Sequence, residues 1–162
     1  MTEYYNLPGS NIKIIPATWR DLRDLQELER LCFQLDAWPI LDLIGLLTLP
    51  QIIRLKAEAE QIMAGFIGVD LRRSQRTAWI ATIAVHPEFR RMGMGSTFLE
   101  ICENKIQGVL PKIRLSVRQS NHPAIELYKK SGYIQVDTWE SYYRGVDNSL
   151  VFEKKLDHPS FP

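Results

Sequence analysis

Arg90-Arg91-Met92-Gly93-Met94-Gly95 stands between a β-rich run, Ile80 to Val85, and a segment in which Phe98, Leu99, Cys102 and Ile106 recur at helical spacing. Two glycines therefore sit where a helix should begin, although glycine is a poor helix former. The first turn of a helix leaves main-chain N–H groups unpaired. Together they carry about half a positive charge. Glycine lacks the Cβ that would hold an anion away from them. A loop of this kind can hold a phosphate or pyrophosphate on its main chain, or it can be a plain turn. No Gly-Lys-Ser/Thr follows, so it is not a P-loop, and the third glycine of a dinucleotide fingerprint is missing.

A second stretch, "SNHPAIELYKKSGY", opens with helix-capping residue types, carries Pro123 in a first-turn position and closes on Gly132, a natural residue just past a helix end. It predicts a helix over about 123–131 and puts the phenol of Tyr128 on it. An aromatic on a helix face is usually core. Lys112 to Arg118 alternates, with Ile113, Leu115 and Val117 on one face and Arg114, Ser116 and Arg118 on the other. His86, His122, His158, Cys32 and Cys102 show no metal-ligand spacing. Both cysteines fall in apolar helical patterns and read as buried thiols, with a disulfide the lesser alternative.

The elements that must position these residues are legible in outline. Ile12 to Ile15 reads as a short strand. Thr18 with Asp21 resembles a helix cap, and Leu22, Leu25, Leu28, Leu31 and Cys32 follow on a helix over roughly 19–33. "FQLDAWPILDLIGLLTLP" predicts a loop around Asp36–Pro39 and a short apolar helix ending before Pro50. That segment reads as core packing, as a lip of a substrate groove exposing Phe33 and Trp38, or as a dimer contact. Strands are expected at 52–58, 62–71 and 77–85, with a tight turn near Glu60–Gln61, and closing strands at 134–140 and 150–156. The order β, α, α, three strands, α, β, α, β, β predicts an α/β (α+β) mixed sheet with helices on its faces.

The chain has 162 residues, 45% hydrophobic and 24% charged, with a formal net charge of +1. That fits one domain with a real core and no global field toward nucleic acid or an anionic membrane. The core is expected over about 12–156, with loose ends at 1–10 and 157–162. "MTEYYNLPGS" lacks the build of a signal peptide, and the longest apolar stretch, Ile40 to Leu49, is too short to span a bilayer. A reducing, cytoplasmic setting without membrane or nucleic-acid partners is expected.

Taken together, the motifs resemble the GNAT superfamily of acetyl-CoA-dependent N-acetyltransferases. Arg90-x-x-Gly93-x-Gly95 fits its pyrophosphate loop, "IAVHPEFRRMGMG" fits the strand and bulge before that loop, and "SNHPAIELYKKSGY" fits its later Asn-x-x-Ala-x-x-Leu-Tyr element. Two such elements in this order, about 25 residues apart, make a specific match over roughly 12–156. Within the superfamily the chain is most similar to the RimI-type N-terminal protein acetyltransferases, through "VRQSNHPAIELYKKSGY", Tyr142–Tyr143 and "ERLCF…AWP".

The resemblance implies a GNAT-like splayed, mostly antiparallel sheet of six to seven strands with about four helices. It implies acetyl-CoA as cosubstrate and no metal. Main-chain groups around Ile83, Ala84 and Val85 would pair with the pantetheine arm. Arg90, and the amides of Arg91, Met92, Gly93, Met94, Gly95 and Ser96, would hold the pyrophosphate. Asn121 would contact the CoA arm, and Tyr128 would sit near the thioester sulfur as general acid. Phe33, Trp38, Tyr142 and Tyr143 would line the acceptor side. Arg91, Lys129 and Lys130 could also reach a phosphate, although solvated surface charge is the default.

One position departs from the pattern. RimI-type enzymes carry a glutamate in a Leu-Glu-Val-Arg context, and here the string is Leu115-Ser116-Val117-Arg118. Ser116 cannot take a proton at neutral pH, so deprotonation would run through ordered water. His86 and Glu88 are stand-ins, with His86 beside Pro87 reading better as a turn residue. A protein α-amine, with a pKa of about 7.7–8.0, is partly neutral near pH 7.5, whereas a lysine at about 10.4 is neutral roughly one time in a thousand. The gap corresponds to about 3.5 kcal/mol and favours a protein N-terminus as acceptor. A small-molecule amine and a non-catalytic acetyl-CoA-binding module are the alternatives, in a monomer or a homodimer.

Overall fold

The capping pair at Thr18 and Asp21 sets the first helix. In the computed structural model, which describes residues 4–156, the Asp21 carboxylate accepts from the Thr18 amide at 2.7 Å and from its hydroxyl at 3.3 Å. A short 3-10 turn leads into α1, Leu22–Phe33. Its inward stripe differs from the expected one. Leu25, Leu28 and Glu29 are buried, and Leu31 is exposed, because 25, 28, 29 and 32 keep the i, i+3, i+4, i+7 spacing and Leu31 does not. After a loop, α2 covers Ile40–Thr48 and buries Leu43, Leu46 and Leu47. Each such leucine contributes about 1.5–3 kcal/mol on burial. Core packing is therefore the main role of this segment, with Ile40, Leu41 and Ile44 left exposed on its other side.

The strands are β1 Tyr5–Asn6, β2 Lys13–Pro16, β3 Ile52–Ala59, β4 Ile62–Arg72, β5 Thr77–Val85, β6 Lys112–Arg118, β7 Ile134–Tyr143 and β8 Asp147–Lys155. The remaining helices are α3, Met94–Ile106, and α4, His122–Lys130. Strand order through the mixed sheet is β1-β2-β3-β4-β5-β6-β8-β7. β1–β2, β2–β3, β3–β4, β6–β8 and β7–β8 pair antiparallel, and β5 pairs parallel to β6. The sheet has one strand more than expected. The N-terminal segment read as a loose end supplies it, with Tyr5 opposite Ile14 and Leu7 buried. The C-terminal end expected to be loose, 157–162, lies outside the described residues.

The chain divides into two compact units, one running to Asp70 and including Ala81–Phe98, the other made of Leu71–Ile80 and the residues from Leu99 onward. The core of the first gathers Leu25, Leu28, Leu43, Leu46, Leu47 and Phe66. In the second, Ile113, Leu115 and Val117 of β6 are buried, while Arg114, Ser116 and Arg118 stay half-buried on the opposite face. Arg114 reaches Glu153 of β8 at 2.6 Å on that face. The hairpin turn at Glu60–Gln61 has φ of 46° and 70° at its two residues, the left-handed pair that a tight two-residue turn needs.

Candidate active site

In the first unit the loop after β5 has left-handed backbone at two residues. Arg91 has φ 62° and Gly93 has φ 79°. Left-handed residues in a turn gather successive N–H groups into a concavity. A Cβ built on Gly93 would meet no atom within 4 Å, so its main chain faces open space. The first amide of α3 to find a partner is that of Thr97, which donates to Gly93 O at 3.0 Å. Among the described residues the amides of Arg91 to Ser96 donate to nothing. Arg90, Arg91, Met92, Gly93 and Ser96 are exposed, whereas the Met94 side chain is buried and anchors the start of the helix.

Met94 packs against a glycine. A Cβ on Gly65 of β4 would lie 2.5 Å from Met94 Sδ, 2.9 Å from Phe98 Cε2 and 3.1 Å from Ala84 O. Only a residue without a side chain lets α3 sit this close to the strand. At the end of β5, Val85 O accepts from Cys32 Sγ at 3.3 Å and from Arg90 Nε at 3.1 Å. That carbonyl is already engaged, so a ligand pairing with Ile83, Ala84 and Val85 would use their other main-chain groups. Both cysteines are free thiols, and Cys102 is fully buried.

Behind β5 lies a carboxylate that sequence reasoning missed. Glu29 is 0% exposed. Its Oε1 accepts the Thr82 hydroxyl at 2.6 Å, and its Oε2 accepts the Trp38 amide at 3.5 Å. Burial raises its pKa above the usual carboxylate range, and the bonds from Thr82 and Trp38 only partly offset this. The signal was present: Glu29 occupies a position of the apolar stripe of α1. Through it the 37%-exposed Trp38 is tied to α1, while Phe33 packs partly buried on the core. His86 is a turn residue. Its Nδ1 accepts from the Glu88 amide at 3.2 Å and its ring packs edge-on to Phe89.

In the second unit α4 starts at Asn121, whose Oδ1 accepts the Ala124 amide at 3.3 Å. Tyr128 is 4% exposed, with its ring 6.0 Å from Tyr133 and 6.3 Å from Phe152 between centroids. Its hydroxyl has no hydrogen-bond partner among the described residues. Burial, with a smaller contribution from Tyr143, pushes its pKa far above that of a free phenol. Lys129 and Lys130 are exposed in the last turn of α4.

Ser116 is half-buried on the polar face of β6. On β7, Tyr142 is 58% exposed, and Tyr143 lies under the Arg118 guanidinium, 4.2 Å from ring centroid to Cζ. Tyr142 continues the aromatic contacts, 5.2 Å from Tyr143 and 5.4 Å from Trp139 between centroids. Trp79 and Trp139 are stacked on each other, with ring centroids 6.0 Å apart. No group of three or more His, Cys, Asp or Glu side chains fit to hold a metal occurs among the described residues. No helix among them is long and apolar enough to cross a membrane.

The strand-to-helix glycine loop and the helix carrying Tyr128 fall where the two sequence motifs placed them. Residues 19–133 match the acetyltransferase (GNAT) family model, and the chain belongs to that family. It is 32% identical over 100 residues to "N-alpha-acetyltransferase 50" of Danio rerio, a match covering 58% of this chain and 58% of that protein. The chain thus spans little more than half the length of this curated relative. The ribosomal-protein-S18-alanine N-acetyltransferase of Escherichia coli has the same fold, with a TM-score of 0.82 at 21% identity over 92% of this chain and 96% of that one. Arabidopsis thaliana NAA60, solved in complex with acetyl-CoA, is similar at a TM-score of 0.79 and 18% identity, over 90% of this chain and 98% of that one.

Proposed function

We propose that this chain transfers an acetyl group from acetyl-CoA to the α-amine of a protein or peptide N-terminus. The observation that carries this reading is the set of unpaired amides from Arg91 to Ser96, held open by the left-handed backbone at Arg91 and Gly93. They suit a diphosphate, and Arg90 and Arg91 add positive charge beside it. The family membership and the name of the zebrafish relative support acetyl transfer to an N-terminal amine.

The reaction needs a neutral amine, stabilisation of the oxyanion and a donor for the departing sulfur. The amine nitrogen attacks the thioester carbon. The C–N bond forms, the C–S bond breaks, and one amine proton ends on the thiol. Tyr128 fits the donor role because its hydroxyl is protonated and uncommitted. A thiol ionises near 8.5 and a free phenol near 10, so full transfer from even an unperturbed tyrosine to the thiolate is uphill by about 2 kcal/mol. With its pKa raised further, Tyr128 acts by hydrogen-bonding the developing thiolate rather than by surrendering its proton outright.

The acceptor class follows from Ser116. No carboxylate stands at that position, so an amine that is already partly neutral is favoured over lysine by about 3.5 kcal/mol. The test is incubation with acetyl-CoA and peptides that differ only in having a free or blocked N-terminus, each with an internal lysine. Thiol release with the free peptide and none with the blocked one supports the reading. Equal release from both would assign the activity to lysine.

A further inference from the structure

Ser149 of β8 is 0% exposed, and its Oγ is the one side-chain oxygen or nitrogen fully shielded from solvent, among the described residues, that lacks a hydrogen-bond partner. Leaving a hydroxyl buried and unpaired costs about 1–3 kcal/mol. Its place in the sheet gives that cost a purpose. In the β6–β8 register, Ser116 is opposite Val151 and Arg118 is opposite Ser149. Residues directly opposite in an antiparallel pair share a face, as do residues two apart along a strand. Ser116 and Ser149 are therefore diagonal neighbours on one face, the face that also carries the Arg114–Glu153 ion pair.

Diagonal neighbours lie about 7–8 Å apart at Cα and less at Cβ, while two hydroxyl hydrogen bonds through one water span about 5.5 Å. That separation suits a single bridging water. Trp139, opposite Ser149 on β7, is stacked on Trp79. The buried serine thus supplies a protected anchor, and the half-exposed Ser116 supplies an exit toward solvent.

We propose that Ser149 is a positioning residue which, with Ser116, holds the water that takes the proton from the acceptor ammonium, in place of the carboxylate the family carries at position 116. This rests on the acetyl-transfer reading. The ammonium gives one proton to the water, which passes a proton by way of the Ser116 hydroxyl to solvent. The neutral amine then attacks the thioester, and its second proton goes to the leaving sulfur. No strong base is needed, because the α-amine ionises near 8.

The experiment measures kcat/KM for an N-terminal peptide from pH 6.5 to 9.5 in wild type, Ser116→Ala, Ser149→Ala and the double variant. About a tenfold loss is expected in each single variant near pH 7, shrinking toward none by pH 9.5, where the amine is already neutral. The double variant should be no worse than either single one, since both hydroxyls hold the same water. KM for acetyl-CoA should stay put in all four. An unchanged Ser149→Ala enzyme, a loss equal at every pH, or additive losses would each overturn the inference while leaving acetyl transfer standing. Absence of turnover in wild type would remove both readings. Ser149→Thr, which keeps a hydroxyl, should recover activity if it folds. Ser116→Ala alone, at a half-exposed position, keeps the pH test available if variants at 149 do not.

Discussion

The Thr82 hydroxyl donates to the Glu29 carboxylate across 2.6 Å, and this bond joins α1 to β5 inside a fully buried environment. Burial holds the folded-state pKa of Glu29 above its unfolded value. The folded state therefore binds an extra proton in the window that starts at the ordinary carboxylate range and ends at the raised value. Through that window the contribution of Glu29 to stability declines as pH rises, and it levels off above.

Glu29→Gln removes this titration while keeping an acceptor for Thr82. Urea melts of both proteins from pH 4 to 8 are expected to show the stability of the wild type falling relative to the variant as pH climbs out of the ordinary carboxylate range. A gap that stays constant over the series contradicts the buried-carboxylate account.

Tyr128→Phe deletes a hydroxyl that bonds to nothing and keeps a ring that packs on Tyr133 and Phe152. The thermal midpoint should not fall. Turnover should drop by roughly 10²-fold, the scale of a lost hydrogen-bond donor to developing negative charge, with acetyl-CoA affinity within about twofold. Wild-type turnover in the variant would strip Tyr128 of its role.

Gly93→Ala tests the loop. A Cβ there meets no neighbour, so the cost to folding is that of the positive φ alone, about 1 kcal/mol. The same Cβ intrudes where an anion would approach the amides. Calorimetric titration with CoA should show at least tenfold weaker binding. Unchanged affinity would move the diphosphate elsewhere.

Gly65→Ala is expected to act on the loop from beneath. Its Cβ would press on Met94, Phe98 and the Ala84 carbonyl, and overpacking of this kind costs about 1–3 kcal/mol. Because Met94 is the first residue of α3, denaturant melts and CoA titration should both register the change. A variant as stable as the wild type would show that the contact is slack.

Strongly patterned elements were legible in the sequence. β6 has the limits its alternation predicts, and the turn at Glu60–Gln61 falls where expected. The helix behind the glycine loop and the helix carrying Tyr128 lie where their motifs placed them. What escaped was set by tertiary context. β1 is two residues long and has no periodicity to read. Pairing of β7 with β8 continues to Tyr143 opposite Asp147, because Arg144 and Gly145 turn with φ of 50° and 72° where a longer loop was expected. Glu29 was hidden because a carboxylate counts as polar in any periodicity argument, even at a stripe position. Ser149 was hidden because an unpaired hydroxyl is a property of what surrounds it.

Product analysis on a single peptide tests the central claim most directly. The peptide carries a free N-terminus and one internal lysine, and after reaction with acetyl-CoA the acetylated atom is located by fragment mass spectrometry. The account predicts acetyl on the α-nitrogen, with thiol released in equal amount and lost in step with CoA affinity in Gly93→Ala. Acetyl on the lysine, or tight CoA binding with no thiol released from any N-terminal peptide, would contradict it.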